Sequence, residues 1–173
     1  LALSVGGTTR VATGNAGGWH LGTVDGVSGL TIAAGTATEV TLVSQGSLGL
    51  NSTLNLGSGA STLTLRAASF DASSATVSGQ SRATVKFDVA DQSQTLTLGG
   101  SGSTLSQASL AKFNGARDIV IGSAGTDIVA ESGLSVSVGD ALELVGDSLS
   151  LPYGITVTGG SLHLDAQIGR AHV

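Results

Sequence analysis

The chain has 173 residues, a net charge of −5, one proline and no cysteine, and this composition excludes disulfides and cysteine-ligated zinc. Hydrophobic residues make up 40 % and aromatic residues only 3 %, so the chain is too apolar for a disordered protein and should bury a thin aliphatic core. Lys and Arg form no cluster and no apolar run nears the ~20 residues that span a bilayer, so we expect neither a nucleic-acid partner nor a membrane span.

Short alternations of apolar and polar residues, each followed by Gly, Ser, Asn or Asp, predict strands with one buried face. Helical periodicity is nearly absent because glycine and β-branched residues interrupt every window. In chain order the alternations fall at residues 54–56, 63–65, 85–89, 96–98, 134–138, 142–144, 149–151, 155–157 and 162–164. We expect exposed side chains at Thr64, Lys86 and Glu143, and buried ones at Leu63, Leu65, Val85, Phe87, Val89, Leu142 and Leu144.

The spacing of these strands predicts their arrangement. Two series of strand starts recur with a period of roughly 20–23 residues, namely Leu42, Leu63, Val85 and Leu105, and then Ile119, Leu142 and Leu162. A period of this size, with two or three short strands in each repeat, predicts an all-β fold, a parallel β-helix (β-solenoid) with coils of roughly 20–23 residues. About eight coils would form a rod of roughly 35–40 Å, with glycine at the corners.

Other repetitive and all-β folds fit less well. A β-sandwich needs longer strands and usually an aromatic-containing core, and a leucine-rich repeat needs an asparagine at a fixed place in each repeat. Collagen is excluded because glycine shows no three-residue period.

Both ends of the chain look truncated. The sequence begins at Leu1 without a signal peptide, and residues 168–173 (IGRAHV) are what one reading frame of a common sequencing adapter encodes. We therefore expect residues 1–167 to be a single solenoid segment of a longer protein. Residues 168–173 should be an adapter-derived tail that adds no coil.

Three phrases carry a resemblance to a known family: residues 62–75 (TLTLRAASFDASSA), 105–123 (LSQASLAKFNGARDIVIGS) and 155–166 (ITVTGGSLHLDA). They resemble the repeat region of filamentous-haemagglutinin-like exoproteins, which are adhesins of the two-partner secretion pathway. The resemblance implies a right-handed parallel β-helix, a secreted protein on the bacterial cell surface, and cell adhesion. The implied partners are an outer-membrane secretion protein and glycans or proteins of a host or neighbouring cell. Stalks of autotransporter passengers could carry similar phrases.

Charged residues on one strand give the first candidate site. Lys86 and Asp88 alternate with apolar residues and should share an outward face, with Asp91 following. β-Helix polysaccharide lyases use such residues, but we expect these three to be solvated, because a lyase needs more carboxylates and aromatic sugar platforms. If the segment is adhesive, no concave site should gather Lys86, Asp88, Asp91 or a histidine with another titratable group.

The remaining candidates are weaker. Residues 122–128 resemble a single imperfect calcium-binding nonapeptide, which we interpret as an ordinary corner, and the sequon at Asn51 as a turn. His20 and His163 have no partner at ligand spacing, and Trp19 is more typical of a side chain that plugs the coil stack than of a sugar contact. The sequence therefore predicts a non-enzymatic segment with no cofactor, no metal and no catalytic residue, and with binding residues unknown. The alternatives are a passive spacer and a β-helix polysaccharide lyase.

Overall fold

In a computed structural model, the predicted alternations form a parallel β-solenoid of about six turns. The structure describes residues 2–5, 8–13, 19–21, 29–32, 38–50 and 53–166, with side chains from residue 39 onward. The prediction for the tail at residues 168–173 lies outside these residues. Every strand pair within them is parallel, so the all-β parallel β-helix predicted from the sequence is confirmed.

In the described residues, nineteen strands, numbered in chain order, form three sheets along the axis of the solenoid. Sheet 1 consists of β1 (Ala2–Val5), β4 (Gly29–Ile32), β7 (Thr53–Asn55) and β10 (Thr76–Ser78). Sheet 2 consists of β2 (Thr8–Thr13), β5 (Thr38–Ser44), β8 (Ser61–Arg66), β11 (Ala83–Asp88), β14 (Ala116–Ile121), β16 (Leu134–Gly146), β18 (Ile155–Thr158) and β19 (Ser161–Ala166). Sheet 3 consists of β3 (Trp19–Leu21), β6 (Ser47–Leu50), β9 (Ser69–Asp71), β12 (Leu96–Gly99), β13 (Leu105–Ser106), β15 (Asp127–Ala130) and β17 (Ser148–Ser150).

The core is built from columns of aliphatic side chains that point inward from sheet 2. One column consists of Val40, Leu63, Val85, Ile119, Leu142 and Leu162, each in register with the next. All seven residues predicted to be buried are buried. Lys86 is exposed as predicted, whereas Thr64 and Glu143 are half-buried between neighbouring strands. Leu162 and Leu164 are 39 % and 53 % exposed because they belong to the last described strand of the sheet.

The register differs from the prediction at two positions. Leu42 pairs with Leu65 and not with Leu63, so this repeat is two positions longer than its predicted length. Alternation fixes which face a residue occupies, but a slip of two positions leaves that face unchanged. Leu105 lies in sheet 3, where it pairs with Phe70 and Leu98, and is not a member of the sheet 2 column.

One coil is much longer than the predicted period, because the partner of Val85 on the next strand of sheet 2 is Ile119. In this coil the sheet 1 strand is replaced by a short helix, α1 (Gln107–Leu110), and a 3-10 turn, Ala111–Phe113. A second coil is also longer than predicted, because Thr8 is in register with Glu39 on the next strand of sheet 2. The described part of the chain therefore forms about six coils and not eight, in a stack about 29 Å long.

Side-chain amides of the insertion form hydrogen bonds with the backbone of β16, where no sheet 1 strand lies beside it. Gln107 accepts a hydrogen bond from the Ser135 amide (3.0 Å) and donates one to the Ser135 carbonyl (2.8 Å). Asn114 accepts one from the Ser137 amide at 2.9 Å. The backbone of β16 thus remains hydrogen-bonded where it crosses the helix.

The three phenylalanines of the chain lie together inside the long coil. Phe87 meets Phe70 and Phe113 in edge-to-face contacts, with ring centroids 5.5 and 5.1 Å apart. All three side chains are buried. At this level the core is not the thin aliphatic one that was predicted, although the burial of Phe87 is confirmed. The longer coil encloses more space, and rings fill it.

Candidate functional site

A shallow depression of about 530 Å³ lies on the outer face of sheet 2, beside the corner that leads to sheet 3. Its strand residues point outward from β8, β11, β14 and β16 because they alternate with the buried columns. Corner residues that follow β11 and β14 complete the rim. Its lining includes Thr64, Arg66, Lys86, Asp88, Gln92, Val120, Ser123 and Val145.

Lys86 supplies a free cation in this depression. It lies on β11 between Thr64 of one neighbouring strand and Val120 of the other. Its side chain is exposed and makes no hydrogen bond or ion pair with any residue in the described part of the chain. The ammonium group therefore keeps all three donors for solvent or a ligand.

Arg66 supplies a second cation that is only partly satisfied. Its Nε lies 3.5 Å from Asp88 Oδ2, which is a charge contact without hydrogen-bond geometry. This buried Nε has no hydrogen-bond partner among the described residues. Its Nη2 donates to the Val89 carbonyl over 3.4 Å. Two such weak contacts leave the guanidinium with donor capacity for another acceptor.

Asp88 is buried, so the prediction of an exposed carboxylate at this position is wrong. Its Oδ1 accepts hydrogen bonds from the Val89 amide (2.9 Å) and the Thr126 hydroxyl (3.1 Å). Its Oδ2 accepts one from the Ser123 hydroxyl at 2.9 Å and faces Arg66. The carboxylate thus links the corner after β14 to the end of β11. The alternation of inward and outward side chains also ends there.

The segment that resembles a calcium-binding nonapeptide forms this corner. Gly122 and Gly125 have φ values of 83° and 93°, which suit a tight turn. The hydroxyls of Ser123 and Thr126 point to Asp88. Within the described residues, no group of three His, Asp or Glu side chains is arranged to hold a metal ion.

Asp91 is exposed and does not line the depression. Its Oδ1 accepts hydrogen bonds from the backbone amide (2.9 Å) and the hydroxyl (2.8 Å) of Ser93. These two donors lower the pKa of Asp91 below its ordinary value of 3.8, the backbone amide being the larger cause. The next residue, Gln92, donates to the Ala124 carbonyl at 3.2 Å and thereby links two successive corners.

The histidines do not join the depression in the described structure. His163 is exposed on β19, opposite Glu143, and its Nε2 lies 2.8 Å from the Ser161 hydroxyl. His20 and Trp19 belong to β3, but their side chains lie outside the described residues, as do Asn51 and Ser52 of the sequon.

The expectation that no concave site gathers these groups is wrong for two of them. The depression brings Lys86 and Asp88 together with Arg66, which the sequence analysis did not consider. A signal for Arg66 was present, because the spacing from Leu63 to Val85 also separates Arg66 from Asp88. Parallel stacking turns that spacing into a contact.

No family profile, curated protein or solved structure matches the chain. In the part of the chain that the structure describes, no helix has the length and apolarity that a membrane crossing requires.

Proposed function

We propose that the chain is a non-catalytic, rod-forming segment of a large secreted bacterial surface protein of the filamentous-haemagglutinin type, and that it serves cell adhesion. The observation that carries this proposal is the continuous solenoid, in which each coil of sheet 2 stacks in register on the one before it. Stacking of this kind extends by adding coils, so rigidity and reach grow with the number of repeats.

The three resembling phrases add support because each covers a structural unit of the coil. Residues 62–75 include most of β8 and all of β9, and residues 155–166 include β18 and β19. Residues 105–123 cover β13, the short helix and β14. Sequence likeness therefore follows the coil units and not an isolated loop.

In this proposal the rod projects a distant adhesive tip, and its flanks make many weak contacts. Outward positions of sheet 2 include Thr41, Thr62, Thr64 and Ser161, which offer hydroxyls without building a ladder of like charges. Individually weak contacts gain strength when many coils engage one surface together. The partners would be glycans or proteins of a host or neighbouring cell, with an outer-membrane protein for secretion.

A second candidate is a polysaccharide-cleaving enzyme, and the depression that gathers Arg66, Lys86 and Asp88 favours it. The carboxylate of Asp88 is less suited to proton transfer because three hydrogen bonds and Arg66 already hold it. Lys86 would be left as the free titratable group of the depression. A passive spacer without binding of its own is the remaining alternative.

The test is to recover the complete gene that contains residues 62–166 and to label cells that express it with antibodies against the chain. We expect labelling of intact cells, and we expect these cells to adhere more strongly than cells from which the gene is deleted. Labelling that requires permeabilised cells would contradict the surface location. Labelled cells that adhere no better than the deletion strain would favour the spacer.

A further inference from the structure

We infer that the depression on sheet 2 binds an acidic disaccharide that consists of one uronate and one neutral sugar. The inference rests on the depression and on two carboxylates beside it on the same face of sheet 2, and it would hold equally for an adhesive rod and for a spacer. Its volume of about 530 Å³ falls within the range of about 300–1,000 Å³ typical of small-molecule sites.

The cationic end of the depression fits a carboxylate. Lys86 is in register with Thr64, and Arg66 is two positions beyond Thr64 on the same strand. The two cations are therefore diagonal neighbours with Cα atoms on the order of 7–8 Å apart, so both side chains can reach one carboxylate. An ammonium group and a guanidinium group form the short, charge-assisted hydrogen bonds that carboxylates accept.

A singly charged group is preferred over a phosphate dianion at this place. Asp88 lies beside Arg66 and keeps its own negative charge close to the bound anion. Lys86, Arg66 and Asp88 together leave one net positive charge, which a single carboxylate neutralises. For a dianion the net attraction doubles, but the cost of removing the anion from water grows with the square of its charge. The local positive charge is sufficient to bind one carboxylate, but it does not extend along the sheet as a polyanion would require.

The middle of the depression is aliphatic. Val120 is the next residue in register after Lys86, and Val145 lies diagonally beyond Val120 on β16. Both side chains point outward and are half-buried. The two valines suit the C–H face of a sugar ring, and the lining also includes the hydroxyl groups of Thr64 and Ser123.

Beyond the valines the charge reverses. Glu143 follows Val120 in register, and Asp165 follows Val145. Neither carboxylate lines the depression, but both lie on the same outer face beside it. These carboxylates repel a second uronate but accept hydrogen bonds from sugar hydroxyls. The sequence of cations, aliphatics and carboxylates along the sheet therefore specifies a ligand with its acid at one end and a neutral, hydroxyl-rich ring at the other.

The test is an NMR titration of the 173-residue chain with a glucuronate-containing disaccharide whose second sugar is neutral. The methyl ester of this disaccharide, which lacks the negative charge, and a disaccharide of two uronates, which carries two, show how binding depends on ligand charge. We expect the mono-acid to bind with shifts centred on Lys86 and Val120, and the ester to bind about tenfold more weakly. The diacid should also bind more weakly than the mono-acid.

The matched variants are Lys86→Gln and Arg82→Gln, since each removes one positive charge from an exposed side chain but Arg82 does not line the depression. Lys86→Gln should weaken binding about tenfold, and Arg82→Gln should leave it unchanged. Circular dichroism checks that both variants keep the fold. The inference would be overturned if Lys86→Gln and Arg82→Gln weakened binding equally, or if the ester bound as tightly as the mono-acid. It would also be overturned if a sulfated disaccharide bound more tightly than the mono-acid, or if the mono-acid did not bind.

Discussion

Phe87 and Phe113 meet edge to face inside the longest coil that the registers define across the described strands, with ring centroids 5.1 Å apart and planes inclined by 80°. Phe87 belongs to the stacked strand β11, whereas Phe113 ends the helical insertion. Their contact joins the insertion to the regular part of the solenoid, so the long coil is a packed unit of the core.

Replacing Phe113 by alanine should lower the free energy of unfolding by about 3–5 kcal/mol, because a fully buried ring is removed and a cavity remains. The matched control is Leu164→Ala, whose side chain is 53 % exposed and should contribute much less. Urea titration followed by circular dichroism measures both changes. A similar small loss in the two variants would mean that the insertion does not pack as described.

Gly122→Ala should destabilise the chain by about 2 kcal/mol or more, because a side chain meets both backbone strain and a close neighbour there. Gly122 has a φ of 83°, and a Cβ atom there would lie against the Val145 carbonyl oxygen, closer than van der Waals contact allows. Gly102→Ala is the control, since a Cβ at Gly102 would meet no atom within 4 Å. Thermal melts of the two variants test the close approach of neighbouring coils, and equal melting temperatures would contradict it.

Asp88→Ala should cost about 2–4 kcal/mol of stability, because the hydroxyls of Ser123 and Thr126 and the charge of Arg66 lose their shared partner. Asp88→Asn should cost less, since its amide oxygen still accepts hydrogen bonds. Asp165→Ala, at an exposed carboxylate, is the control for loss of a negative charge. If all three variants unfold at the same urea concentration, Asp88 does not anchor the corner.

The pKa of Asp91 should lie below 3.8 in a carboxyl NMR titration and rise in Ser93→Ala, which removes the hydroxyl donor but keeps the backbone amide. Because the pKa is lowered in the folded chain, the stabilisation is present above the unfolded pKa and is lost as the pH falls through the folded pKa. An unchanged Asp91 pKa in Ser93→Ala would show that the hydroxyl contributes nothing.

The sequence was sufficient for much of the fold because alternation and period are local signals. Leu63 stacks on Val85, and Ile119, Leu142 and Leu162 stack on one another, as the two predicted series required. The pairing of Val85 with Ile119, which joins the two series into one column, was not predicted. Alternation alone could not fix the register of Leu42, which is two positions from its predicted partner.

The insertion was not predicted because its helix, Gln107–Leu110, is too short to produce a periodic signal. Leu105 matched the period by coincidence and folds back beside Phe70. The candidate site was predicted only in part. Lys86 was correctly assigned to the outer face, but the burial of Asp88 depends on the hydroxyls of Ser123 and Thr126, whose proximity follows only from the three-dimensional register.

We propose that this solenoid binds surfaces and does not cleave the polysaccharides on them. To test for cleavage, the purified chain is incubated with an acidic polysaccharide that alternates uronate and neutral sugars, and polymer length and new reducing ends are measured over time. If the proposal is correct, the polymer keeps its length and reducing ends do not increase. Cleavage that disappears in Lys86→Ala or Asp88→Ala, with the fold of the variant intact, would contradict it and make the segment a lyase.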